Sequence, residues 1–245
     1  MARARSSEPQ EAERLLAELP NLEVLGLLHG SSNYTFLARL EPHPPAGLLA
    51  VYKPARGESP LWDFEAGSLY RREVAAYELS KVLGWPRIPP TVVRRQGPHG
   101  KGALQLFIDA DRRHFLEQQS SRRDIWAQVA LFDVIANNAD RKSGHCLFDA
   151  HDEVWVIDHG LTFHVDQKLR TVIWDFSGEP LPPELCADVE RTLSEVDRGP
   201  LAKTLEGLLS PPELRMLKRR LRGVLIPTWR FPEPTSAWSI PWPPI

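Results

Sequence analysis

The chain has 245 residues, a formal net charge of −2 and a hydrophobic share of 42%, the balance of a globular protein able to bury a core and without the basic footprint that nucleic acid binding requires. Two cysteines, Cys146 and Cys186, exclude a disulfide framework and fit a reducing compartment. The first ten residues lack the apolar run of a signal peptide and no later stretch has the length of a membrane span, so a cytoplasmic location is expected.

In chain order, residues 1–8 read as disordered and 9–19 as a short amphipathic helix with Leu15, Leu16 and Leu19 on one side. Leu22–Leu28 and Tyr34–Leu40 read as a hairpin turning at Gly30-Ser31-Ser32-Asn33, and Leu48 to Tyr52 as a third strand with Lys53 at its end. Ser68 is placed to cap a helix running to about Leu83, where Gly84 stops it. Pro89 and Pro90 introduce a strand, Thr91–Arg95, and a glycine-rich turn leads into Ala103–Ile108. Helices dominate beyond this point. Ile125, Val129, Phe132 and Ala136 recur at helical spacing over 122–137, a hairpin pairs Cys146–Phe148 with Val154–Ile157, and helices are predicted over 183–196, 198–209 and 211–224. Residues 227–245 carry Trp229, Trp238 and Trp242 among six prolines, which suits an extended strap on the surface. The expected organisation is an N-terminal extension over 1–20, a strand-rich part over 21–108, a helical part over 109–226 and the strap.

The chemistry concentrates in Asn137-Asn138-Ala139-Asp140-Arg141-Lys142-Ser143-Gly144-His145 and in Ile157-Asp158-His159-Gly160. Phosphoryl transfer needs one carboxylate to orient an attacking hydroxyl, and ligands that hold a metal on the nucleotide phosphates. Asp140, following a helix with Arg141 beside it to hold it ionised, suits the first task; a helix-capping aspartate is the plainer alternative. Asp158 ends an apolar strand at a glycine turn and suits metal ligation, with His145 as a second ligand or as a hydrogen-bonded histidine. Lys53 can reach phosphates while its stem packs on the sheet, and Glu73 is its natural ion-pair partner. Ser31, Ser32 and Asn33 offer backbone and side-chain donors to phosphate, or form an ordinary hairpin turn. Asp133 is expected to bond Asn137 one turn on. His145, Cys146, His151, His159 and His164 crowd together, yet no Cys-x-x-Cys or His-x-x-x-His spacing supports structural zinc.

The order of these parts, with Val51-Tyr52-Lys53-Pro54, Asp140-Arg141 and Ile157-Asp158-x-Gly160, resembles the phosphatidylinositol 3-/4-kinase-like branch of the protein-kinase-like fold, which includes HipA-type kinases. It looks most like a family of small actinobacterial proteins related to them. The resemblance spans about residues 22–225. It implies a two-lobed α+β fold with a β-rich N-lobe and a helical C-lobe, holding ATP between them with magnesium or manganese. By the same resemblance Asp140 is the catalytic aspartate, Asp158 a metal ligand, Lys53 a phosphate contact paired with Glu73, and Gln105 to Ile108, including Phe107, the adenine hinge. Two positions depart from the pattern. His145 stands where the family has the asparagine that is its second metal ligand, and His159 where it has phenylalanine.

The sequence therefore predicts an ATP-dependent phosphotransferase acting on a hydroxyl of a protein or small molecule, with no nucleic acid partner. A pseudokinase binding module and an adenylyl transferase are the alternatives.

Overall fold

The computed structural model describes residues 8–28, 33–42 and 47–245, and the chain divides into two compact units, 1–77 with 89–108, and 78–88 with 109–245. Among the described residues, no helix is long and apolar enough to cross a membrane.

The first unit is a helix on an antiparallel sheet. Helix α1 (Glu8–Glu18) precedes strands β1 (Asn21–Leu27), β2 (Phe36–Glu41) and β3 (Leu48–Pro54); helix α2 (Leu69–Leu83) follows, then β4 (Thr91–Arg94) and β5 (Gly102–Leu106). The strand order is β1-β2-β3-β5-β4. Side chains alternate across a strand, so Ala50 and Tyr52 of β3 join Leu40, Leu104 and Leu16 of α1 in a fully buried cluster. Val51 and Lys53 take the opposite face. Arg94 closes the end of α1, its guanidinium donating to the carbonyls of Leu16, Ala17, Leu19 and Pro20 at 2.8–3.3 Å, where a cation complements the helix dipole.

Helix α2 belongs to the first unit as far as Tyr77 and to the second from Glu78. Its predicted cap is corrected: the Tyr70 amide donates to the Glu58 carboxylate at 2.9 Å, so an acidic side chain from an earlier loop, not Ser68, closes the first turn. An anion at a helix N-terminus is favoured by the dipole as well as by the hydrogen bond.

The second unit is helical around one small hairpin. It contains α3 (Phe115–Gln118), α4 (Arg123–Ala136), β6 (Cys146–Phe148), β7 (Val154–Val156), α5 (Pro183–Arg198), α6 (Pro200–Glu206) and α7 (Pro211–Val224). Nine of the fourteen residues of α4 are buried. Trp126 packs edge-on against Phe115 and Phe148, with centroids 5.0 and 6.1 Å apart. At roughly 1.5–3 kcal/mol for each large apolar side chain fully buried, α4 is the core of this unit.

The sequence places the break between the fifth and sixth helices too early. Pro200 has no amide hydrogen and opens α6 at its first position, which lets α5 run on to Arg198. Helix α3, only four residues long, was not expected.

Candidate active site

The sheet unit supplies one ion pair. Lys53 leaves β3 on the face opposite the α1 cluster, and its Nζ meets Glu73 Oε1 of α2 at 2.5 Å. The Glu73 side chain is 3% exposed and that of Lys53 18%. A carboxylate so buried is costly unless paired, so each side chain fixes the other. Directly across the ladder from Lys53 is Ala103, and Gly102 lies opposite Pro54. A Cβ on Gly102 would overlap the Lys53 carbonyl, so glycine here is what lets the end of β3 approach β5.

The other candidate residues of the sheet unit are distributed differently. Ser31 and Ser32 lie outside the described residues. Asn33 accepts the Ser59 amide through Oδ1 at 2.7 Å, a tie to the segment after β3. The residues read as the hinge, Gln105 to Ile108, are divided between the sheet and the end of the unit. Gln105 is inside β5, flanked by β3 and β4, and its side chain donates to Thr91 Oγ1 at 2.8 Å. The Phe107 amide donates to the Leu49 carbonyl at 3.1 Å, so the sheet itself takes up these groups. Ile108 is the last residue of the unit.

The helical unit gathers Asp140, His145 and Asp158 through a buried scaffold. Helix α4 ends on Asn137, whose φ of 54° is left-handed, a conformation asparagine tolerates. The Asn137 amide group donates to the carbonyls of His164 and Asp166 at 3.0 and 2.7 Å. Asn138 donates to Asp133 Oδ1 at 2.9 Å, and its own Oδ1 accepts the Asp140 amide at 3.0 Å. Arg141 and Asp133 are both wholly buried. The guanidinium donates to the Asp133 carboxylate at 3.0–3.2 Å and to the Ile157 carbonyl at 2.8 Å, and lies 2.7 Å from His159 Nε2. Two sequence readings are thereby refined: the Asp133 side chain bonds Arg141 and Asn138, while Asn137 meets Asp133 only through its backbone amide on the carbonyl, and Arg141 turns into the core, from where its charge still favours the ionised Asp140.

The partner of Asp140 is Lys142, with Nζ 3.2 Å from Oδ2. Burial pushes the Asp140 carboxyl above its ordinary value and outweighs the pull of Lys142; the charge of Asp158 pushes in the same direction. Lys142 was missed because loop alternation, which turns Arg141 inward and Lys142 back toward Asp140, leaves no mark in composition. In the metal-free protein, a carboxyl with a raised folded value binds its proton more tightly folded than unfolded. Stability is therefore gained as pH falls towards the raised value and lost as pH rises through it. Asp140→Asn cannot ionise and is expected to be no less stable than the parent at neutral pH. It should also flatten the pH dependence just above the ordinary carboxylate range, as read by thermal unfolding in EDTA.

Asp158 follows β7 at a left-handed φ of 61°, where aspartate is more tolerated than most residues. His145 Nε2 lies 3.3 Å from Asp158 Oδ2, and the ring's Nδ1 accepts the Lys142 amide at 3.3 Å. With Nδ1 an acceptor, the proton of a neutral ring sits on Nε2, the ring nitrogen that faces Asp158. In this geometry His145 stands beside the Asp158 carboxylate, close enough to orient it. Among the described residues there is no group of three or more His, Cys, Asp or Glu able to hold an ion. The donor set does fit magnesium or manganese, which take one or two carboxylates and complete their shell with phosphate and water oxygens. Both cysteines are free, and burial pushes the Cys146 thiol up to about 12, far from a reactive thiolate.

One further buried cation supports the loop. Arg220 of α7 donates from Nε to the Ile135 carbonyl at 2.7 Å, and burial lowers its titration to about 10. It caps the C-terminal end of α4, from which the Asp140 loop emerges. In sequence it is one of several basic residues on an amphipathic helix, with nothing to single it out.

No protein-family model matches the chain. Among solved structures it is similar to the Helicobacter pylori proinflammatory kinase CtkA, with a TM-score of 0.52, 11% identity, and coverage of 84% of this chain and 92% of that one. It is also similar to hydra Fam20, solved with sugar, with a TM-score of 0.53, 15% identity, and coverage of 89% and 88%. These similarities show a kinase-like α+β fold, a strand-rich first part and a helical second part. Among curated proteins, Protein Rv2133c of Mycobacterium tuberculosis (strain ATCC 25618 / H37Rv) is 36% identical over 258 aligned positions, covering 91% of each chain. The chain belongs to the family of that mycobacterial protein.

Proposed function

We propose that the protein is an ATP-dependent phosphotransferase that moves a phosphoryl group to a hydroxyl of a protein or small molecule. The observation that carries this reading is the Lys53–Glu73 pair: a strand lysine held at 2.5 Å by a buried helix glutamate, on a kinase-like fold. Lys53 contacts phosphate oxygens as a point charge, and Glu73 keeps it in place. A divalent cation, when bound, neutralises negative charge on the phosphates; Asp158 holds it, and His145 keeps the Asp158 carboxylate oriented. Asp140 orients the acceptor hydroxyl and takes the proton it releases, as one oxygen–phosphorus bond forms and another breaks. Burial of Asp140 raises its proton affinity, which suits a base working nearer neutrality. The finer placement within the phosphatidylinositol 3-/4-kinase-like branch rests on Asp140-Arg141 and Ile157-Asp158-x-Gly160.

A second reading is a nucleotide-binding module without transfer activity. It is favoured by His145, whose ring stands 3.3 Å from Asp158 at the position where the resemblance calls for an asparagine as second metal ligand.

Lys53→Met tests the first reading. Losing one charge-assisted contact is worth about 1.5–3 kcal/mol, so ATP affinity is expected to fall roughly 10- to 100-fold, with a matching loss of phosphate release from labelled ATP. Equal affinity in parent and variant would remove Lys53 from the site.

A further inference from the structure

The helical unit carries its own C-terminal segment against the Asp140 loop. The 3-10 turn Ser143–His145 presents the His145 ring to Asp158. The handholds on Ser143 come from outside that turn: its hydroxyl accepts the Leu116 amide at 2.9 Å and lies 2.9 Å from His114 Nδ1, and its amide donates to the Pro244 carbonyl at 2.8 Å. The strap is attached a second time where the Thr171 amide donates to the Ser239 carbonyl at 3.0 Å. Thr171 sits between Arg170 and Val172, which bond the backbone of Arg141 on either side at 3.0 and 3.1 Å. The strap thus touches both flanks of the loop through main-chain groups.

Beyond Phe231, which is buried against Phe176, its side chains do little of the holding. Ser239 and Pro241 are buried and Pro244 is half-buried, whereas Trp238 and Trp242 are 79% and 87% exposed. A segment anchored mainly by backbone bonds and rigid proline rings places carbonyls accurately while adding little to the core.

We propose that Pro244 is a positioning residue: its carbonyl fixes Ser143, and with it the turn that sets His145 on Asp158. The link to function rests on the reading of Asp158 as a metal ligand; the positioning of the turn does not. Deletion of residues 243–245 removes the carbonyl, while Pro244→Ala keeps it. In metal-free protein, hydrogen exchange is expected to rise in the deletion variant across 141–147 and at Ile157, whose amide bonds the His145 carbonyl at 2.9 Å, and to stay at the parent level in Pro244→Ala. Manganese binding with a non-hydrolysable ATP analogue, followed by electron paramagnetic resonance, is expected to weaken about 10-fold or more in the deletion variant, the usual effect of losing a group that orients a ligand. Unchanged exchange in the deletion variant overturns the proposal, as does faster exchange with unaltered manganese affinity. If the parent binds no manganese–nucleotide, the phosphotransferase reading falls, and exchange alone decides whether Pro244 positions the turn. Should the deletion variant not fold, the Ser143 amide in the intact protein decides by NMR: protection supports the proposal, and exchange at the rate of a free amide overturns it.

Discussion

Arg141→Ala is expected to destabilise the protein by about 3–5 kcal/mol, the range for breaking a buried ion pair from one side. Arg141 and Asp133 are both fully buried, so removing the guanidinium leaves a carboxylate out of water with, among the described residues, only Asn138 as a remaining side-chain donor. The Ile157 carbonyl and His159 lose a neighbour in the same step. At roughly 2–4 °C per kcal/mol for a chain of this size, the midpoint of thermal unfolding should fall by about 6–20 °C. A double change, Arg141→Met with Asp133→Leu, removes both charges and should recover part of that loss, because a packed apolar pair carries no desolvation penalty. A shift of less than about 2 °C in the single variant would mean that the pair is not holding the loop.

Asp158→Asn is expected to remove metal-dependent nucleotide binding while leaving the fold intact. Asparagine accepts the left-handed backbone that Asp158 adopts at φ 61°, so the substitution changes charge without forcing the turn. The Lys142 amide still holds the His145 ring through Nδ1, so the ring keeps its position. The loss is therefore assigned to the carboxylate as a metal ligand. Affinity for ATP in manganese should fall at least about 100-fold, to the level seen without metal. Unfolding temperature should stay within a few degrees of the parent, measured by calorimetry. An unchanged affinity would separate Asp158 from metal binding; a large drop in stability would show a structural role.

Much of the architecture was legible because periodicity reports it directly. The apolar stripe of α4 and the alternation in β3 gave the elements that carry Asp140 and Lys53, and the Lys53–Glu73 pairing followed from a strand end and an early helix position. What was not legible depends on direction rather than position. Nothing in Asp140-Arg141-Lys142 says that the arginine turns inward to Asp133 and the lysine back to Asp140. The stretch 105–108 reads equally as strand end or hinge, and only pairing of β5 on both sides commits Gln105 to the sheet. His145 reads in the sequence as a metal ligand or a hydrogen-bonded histidine; the Lys142 amide on its Nδ1, invisible in the sequence, leaves Nε2 toward Asp158. Contacts over long sequence separations, such as Ser143 with Pro244 and Ile135 with Arg220, leave no local pattern to read.

The most direct test of the central claim is a calorimetric titration of the purified protein with ATP in magnesium, in manganese and in EDTA. Binding that requires a divalent cation and disappears in EDTA is the predicted result, with Lys53 and Asp158 as the groups that carry it. Binding equally strong in EDTA would contradict the metal role of Asp158, and no binding under any of the three conditions would contradict the phosphotransferase reading itself.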